Sequence, residues 1–201
     1  MITVENLKKV LDRLGYSKIK NGDVYSKNYA EFDCCISIDF ANKKIVYPKE
    51  KGMKIHRETT CNFSEPENFV VLECITSLMD KGYRPGNIEL EKPMPGGHKD
   101  NGGFCDIQVK DNTGRTFLLI ECKRADEFDR YWKKTMADGG QLFRYFNSKT
   151  TFSYFLNLTI VSPKANKQAI SKALPWSLLF ELITLYLLKY PLSQRQSHKP
   201  D

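Results

Sequence analysis

The chain has 201 residues, a formal net charge of +7 and a sequence pI near 9.0. That length buries one full core with room for a small subdomain. With 41% hydrophobic and 27% charged residues the composition is that of an ordinary soluble globular protein and excludes a disordered chain. The surplus of lysine and arginine favours a polyanionic partner, although many proteins this basic bind none.

Six cysteines (Cys34, Cys35, Cys61, Cys74, Cys105 and Cys122) include no Cys-x-x-Cys pair, and His56, His98 and His198 are scattered. This excludes a conventional zinc site. Several of the cysteines sit in apolar runs, where the thiol behaves as a small buried hydrophobe; reduced thiols imply the cytoplasm. The N-terminus lacks the charged-then-apolar pattern of a signal peptide. The most apolar run, 173–188, is interrupted by Pro175 and Glu181 and falls short of the roughly 20 residues that span a bilayer. It reads as a packing helix, and no membrane partner is expected.

In chain order, Val4, Leu7, Val10, Leu11 and Leu14 share one helical face, and Gly15 stops that helix. Strands are predicted over 24–29 and 33–40, the second alternating Cys34, Ile36, Ile38 and Phe40 against Ser37 and Asp39. A turn at 41–43 leads into 45–47 as a hairpin, and 48–60 reads as polar loop. A second helix is predicted from Ser64, where Ser64 and Glu67 have capping-box spacing and Val71, Leu72, Ile75, Leu78 and Met79 form the apolar face before Gly82. A short strand over 88–91 precedes a glycine-rich loop over 93–103. Strands 104–110 and 116–122 are joined by Asp111-Asn112-Thr113-Gly114-Arg115, strong hairpin chemistry. A helix over 126–148, broken near Gly139-Gly140, and a strand over 152–161 follow. That order implies one mixed sheet flanked by helices.

The chemistry concentrates on the 104–122 hairpin. Side chains alternate across a strand, so Glu121 and Lys123 emerge on one face. A five-residue loop places Asp106 opposite Ile120 or, with one residue of bulge, opposite Glu121. Two carboxylates there would repel one another and resist desolvation. A hard cation resolves that conflict, and Mg²⁺ takes one or two carboxylates plus waters and phosphate oxygens. A Glu-x-Lys alone is common on half-exposed strands, where the two side chains merely pair in solvent. It is Asp106 in register, between apolar strands, that favours a site.

This pattern resembles the PD-(D/E)xK nuclease superfamily over residues 64–160. It is most similar to the N-terminal nuclease domain of type I restriction enzyme motor subunits and of related single-chain restriction–methylation enzymes. The resemblance implies a restriction-endonuclease-like α/β fold with a mixed sheet flanked by helices over 61–162. Before it, residues 1–60 read as a small α+β extension; after it, the helical tail 163–201 shows no resemblance to the family and has no assigned role. It implies Asp106 and Glu121 as metal ligands and Lys123 as the residue that orients the attacking water. It implies Gln141 and Tyr145 as a Gln-x-x-x-Tyr pair on the following helix, reaching metal waters or phosphates. Glu67 matches an acid that completes the metal shell; its other reading is the capping box. Cys105 stands where the family name has proline.

The implied activity is Mg²⁺-dependent hydrolysis of double-stranded DNA, with Mn²⁺ able to substitute. The implied partners are helicase or motor, methyltransferase and specificity domains or subunits, of which this chain is expected to be a fragment. Arg124, Arg130, Lys133, Lys134 and Arg144 follow the site in sequence and are candidate phosphate contacts, although a solvated helix face accounts for the first lysines and arginine of that helix as well. His98 and Lys99 lie in the glycine-rich loop, which reads foremost as solvated. Two alternatives stay open. One is a nuclease-like DNA-binding or docking module whose acids are structural; the other is RNA cleavage or repair on the same residues.

Overall fold

The computed structural model of the chain describes residues 2–19, 22–94 and 103–123, together with Arg130. All belong to one compact unit, Met1–Ser162. The expected helix over 126–148, the strand over 152–161, the apolar run 173–188 and the whole tail 163–201 lie outside the described residues, apart from Arg130.

The first helix, α1 (Val4–Arg13), buries Leu7 and Leu11 as its spacing predicts, but Val4 is exposed at its open end. Asn6 Oδ1 accepts the Thr3 N–H at 2.9 Å and closes the helix start. At the other end Gly15 takes φ 82°, the left-handed conformation that glycine adopts without cost, and the Tyr16 N–H returns to the Leu11 carbonyl at 2.9 Å. Four strands follow: β1 (Ser17–Lys18), β2 (Val24–Tyr29), β3 (Cys34–Asp39) and β4 (Lys44–Val46). They form an antiparallel meander in chain order. Ile36, Ile38 and Ile45 face the interior, as the alternation in the sequence requires.

The segment expected as plain loop contains a further strand, β5 (Lys54–Ile55), between short 3₁₀ turns at Lys49–Lys51 and Glu58–Thr60. It pairs in parallel with β6 (Ile88–Pro93), and β6 continues antiparallel to β7 (Phe104–Lys110) and then β8 (Thr116–Ile120). The described strands build two four-stranded sheets: β1-β2-β3-β4 lies within the expected N-terminal extension, and β5-β6-β7-β8 is a mixed sheet, where the order of elements alone suggested a single one. Strand patterning carries no information about which sheet a strand joins, and the turns around Pro48 redirect the chain between the two. Taken together, the described residues form a mixed α/β structure with two helices and two sheets.

The second helix, α2 (Glu67–Asp80), is buried on nearly every side, from Asn68 to Leu72, at Cys74 to Thr76, and at Leu78 and Met79. A helix apolar all round is one covered on more than one face. Toward the first sheet, edge-to-face rings run from Tyr25 through Phe40 and Phe63 to Phe69 at centroid distances of 5.6, 5.4 and 5.3 Å. Tyr16 and Thr76 share a buried hydrogen bond of 2.8 Å on the same side. Toward the second sheet, Cys74 of this helix is buried, as is Cys122 just past β8. Among the described residues, no helix is long and apolar enough to cross a membrane.

The expected capping box does not form. The helix begins at Glu67 with Pro66 at its cap and no side-chain cap bond, while the Ser64 N–H is taken by Asn62 Oδ1 at 2.8 Å. Proline before the helix and the Asn62 turn satisfy this entry locally, which leaves the Glu67 carboxylate available elsewhere.

Candidate active site

The β7–β8 hairpin fixes the site. Its turn is held by Asp111, whose Oδ1 accepts the Thr113 N–H at 2.9 Å and the Arg115 N–H at 3.0 Å, with Gly114 at φ 81°. A bulge at Val109/Lys110 shifts the register by one residue. Beyond it Ile107 faces Ile120, so the same register carried one step further sets Asp106 opposite Glu121. Of the two registers open in the sequence, the bulged one is found. One face of this pair, with Cys105, Ile107, Val109, Leu118 and Ile120, is apolar and fully enclosed; Asp106 and Glu121 belong to the other.

β8 ends at Ile120, two residues earlier than its pattern suggests, so Glu121, Cys122 and Lys123 run on as extended chain. Just past that end, Asp106 Oδ2 accepts the backbone N–H of Cys122 at 2.5 Å. Lys123 donates to Glu121 Oε1 at 2.8 Å and to Glu67 Oε1 at 2.9 Å. Its side chain is 11% exposed and that of Glu67 31%. Thus Asp106, Glu121, Lys123 and Glu67, from two strands and one helix start, are brought into a single polar cluster.

Glu121 is 4% exposed, and its Oε2 has no hydrogen-bond partner among the described residues. Burial pushes its carboxyl up to about 7 against the pull of Lys123, and the charges of Glu67 and Glu91 push the same way. Burial and the facing Glu121 hold Asp106 well above the usual carboxylate range as well. For Lys123, burial alone would lower the ammonium; the carboxylates of Glu121 and Asp106 outweigh it and raise the group. The cluster therefore holds more carboxylate than one lysine neutralises. Among the described residues no three His, Cys, Asp or Glu side chains close into a cage by themselves. Instead the Lys123 ammonium lies between Glu67 and Glu121.

Two further acids were not singled out in the sequence. Glu91, on β6, stands opposite Asp106 in the β6–β7 register, between the pairs Leu90–Ile107 and Lys92–Cys105, and is buried with φ 51°. A non-glycine residue in the left-handed region is strained. Glu89, two residues earlier, is 1% exposed and accepts from Lys92 at 2.8 Å, from Lys110, and stands 2.9 Å from His56 Nε2. Burial would raise it, but these partners outweigh burial and hold its carboxyl down at about 2. The signal for both was the alternation Ile88-Glu89-Leu90-Glu91, which puts two carboxylates on the inner polar face once β6 is known to be a central strand.

Gln141, Tyr145, Arg124, Lys133, Lys134 and Arg144 lie outside the described residues, as do His98 and Lys99; Arg130 is exposed. No protein-family model matches the chain, and no curated protein matches it either.

Proposed function

We propose that this chain is a Mg²⁺-dependent endonuclease domain that hydrolyses phosphodiester bonds of double-stranded DNA on a restriction-endonuclease-like core. The observation that carries the reading is the facing pair Asp106 and Glu121, both raised by burial, with Lys123 bound to Glu121 and Glu67. A divalent ion suits this donor set because, among the described residues, carboxylates outnumber ammonium groups at the cluster and one buried oxygen of Glu121 has no hydrogen-bond partner. Asp106, Glu121 and Glu67 would hold it, and when bound it would acidify a water and neutralise charge on the scissile phosphate.

The chain's own residues supply positioning. The Cys122 N–H fixes the Asp106 carboxylate, so that acid is oriented before any ligand arrives. Lys123 stays protonated through the neutral range and, released from one of its carboxylates, donates to the attacking water or a phosphate oxygen as negative charge builds. Gln141 and Tyr145 would add contacts from the following helix, and Arg124, Lys133, Lys134 and Arg144 would contact flanking phosphates. The chain would act in the cytoplasm as part of a larger restriction assembly with motor, methyltransferase and specificity parts.

The test is nicking of supercoiled plasmid by the full chain in Mg²⁺ or Mn²⁺, beside Glu121→Gln. Ion-dependent nicking lost in the variant supports the reading; equal nicking by both removes it. A second reading, a DNA-binding module without chemistry, is favoured by one observation, that Lys123 already pairs with two of the acids. It requires DNA binding that survives Asp106→Ala and needs no divalent ion.

A further inference from the structure

Carried across the second sheet, the registers line up two neighbouring rows on its polar face. One runs Lys54, Glu89, Gln108 and Leu119 through β5 to β8. The next, one step further in each register, runs His56, Glu91, Asp106 and Glu121, with the His56 N–H bound to the Leu90 carbonyl at 3.1 Å. The second row holds the two acids of the candidate active site. The first row and its surroundings are basic. Lys54, Lys92 and Lys110 all reach the single carboxylate of Glu89, at 3.9 Å and 2.8 Å for the first two, and His56 joins them.

Three ammonium groups around one carboxylate leave a surplus of two positive charges. A carboxylate whose only task was to be neutralised in the interior would need one partner, and each further lysine ordered beside it costs side-chain entropy. The lysines also keep their solvent contact: the Lys54 side chain is 64% exposed, Lys92 30% and Lys110 23%, while that of Glu89 is 2%. Glu89 thus acts as a buried anchor that aims three cations outward. The break in alternation at Glu91, with its positive φ, lets Lys92 reach Glu89 from three residues on, although regular pleating would send it to the opposite face. Arg57 adds a guanidinium 4.4 Å above the Phe104 ring, at the β7 end nearest Asp106.

We infer that Lys54, Lys92 and Lys110, held by Glu89, are the contacts that seat the phosphate backbone of duplex DNA beside the acid row. This rests on the proposed reading of Asp106 and Glu121 for its substrate. Two residues of strand separate the rows, about 7 Å, and successive phosphates of one DNA strand advance about 3.4 Å along the helix axis. The lysines thus stand within the spacing of neighbouring phosphates from a phosphate held at Asp106 and Glu121. Such contacts add affinity and register without reading sequence.

The test is anisotropy of a labelled mixed-sequence duplex oligonucleotide titrated with the full chain in EDTA, across a salt series. Lys54→Ala is the first variant, because Lys54 is the most exposed of the three and the furthest from Glu89. The slope of log K against log salt should become shallower by about 0.9 for each lysine lost, so by roughly three times that in the Lys54→Ala/Lys92→Ala/Lys110→Ala variant. Glu89→Gln keeps the lysines and removes the anchor's charge; it should bind duplex at least as tightly as the parent. A purely structural ion cluster predicts an unchanged slope in all the lysine variants and no gain of duplex binding in Glu89→Gln. Unchanged slopes, or no duplex binding by the parent chain at low salt, overturn the inference. Because no divalent ion is present, shallower slopes alongside absent plasmid nicking would sink the nuclease chemistry and leave the lysine contacts standing.

Discussion

Asp106 and Glu121 occupy facing positions one step beyond the Ile107–Ile120 pair, and a one-residue bulge at Val109/Lys110 puts them there. Without that bulge Asp106 would face Ile120, and Glu121 would leave its face of the sheet. The bulge re-aims a side chain, the role bulges serve beside functional sites.

Lys123→Ala should abolish metal-dependent cleavage, with a loss of at least about a hundredfold. The same change removes the ammonium that lies between Glu67 and Glu121, so Mn²⁺ should bind the variant at least as tightly as the parent. Calorimetric titration with Mn²⁺ beside a cleavage assay separates the two effects. Cleavage that survives the substitution would sink the assigned chemistry.

Stability should depend on pH in a direction set by the raised carboxyls. Between the ordinary 4.5 and about 7, folded Glu121 keeps a proton that the unfolded chain has released, so stability is full below that window and falls as pH rises through it. The loss from this group is on the order of 3 kcal/mol, and Asp106 acts in the same sense. In EDTA the parent should melt lower at pH 8 than at pH 5, whereas Glu121→Gln should melt higher than the parent at pH 8 and show a flatter profile. Added Mn²⁺ should raise the melting temperature more at pH 8 than at pH 5, because ligand carboxyls must lose their protons to bind. A parent melting temperature that climbs from pH 5 to pH 8 in EDTA would contradict the account.

Much of this site was legible in the sequence because it is local. The Asp111-to-Arg115 turn identifies the hairpin, the alternation gives its two faces, and the 104–110 strand is found with the expected bounds. Glu67 was ambiguous, since capping-box spacing and a site role use the same residue; only the Pro66 cap and the bond to Lys123 separate them. Glu89 and Glu91 were invisible because glutamates alternating with Ile88 and Leu90 look like an amphipathic edge strand. They become buried acids only when β5 and β7 flank β6, a long-range fact. The division into two sheets is long-range in the same way.

Glu91→Gly should stabilise the chain by about 1 kcal/mol, since glycine takes a positive φ without the strain that a side chain adds. It also removes a charge that pushes Glu121 upward, so the fall in stability with pH should be smaller and end at a lower pH. Urea unfolding at pH 5 and pH 8 reads both effects. A large destabilisation would show that the buried Glu91 side chain contributes more than its backbone costs.

Leu119→Ala tests the sheet beneath the site. Leu119 is fully enclosed on the central row beside Gln108, and truncating such a leucine costs about 2–5 kcal/mol. Urea unfolding should show that loss, and a cost under about 1 kcal/mol would mean the polar face of β8 is looser than its burial indicates.

The most direct measurement is anomalous diffraction from crystals of the chain soaked in Mn²⁺. A peak shared by Asp106 and Glu121, beside Lys123, is expected, and it should disappear in Asp106→Ala. No peak at saturating Mn²⁺, with Asp106 and Glu121 ordered and facing one another, would contradict it and leave a domain that binds DNA without cutting it.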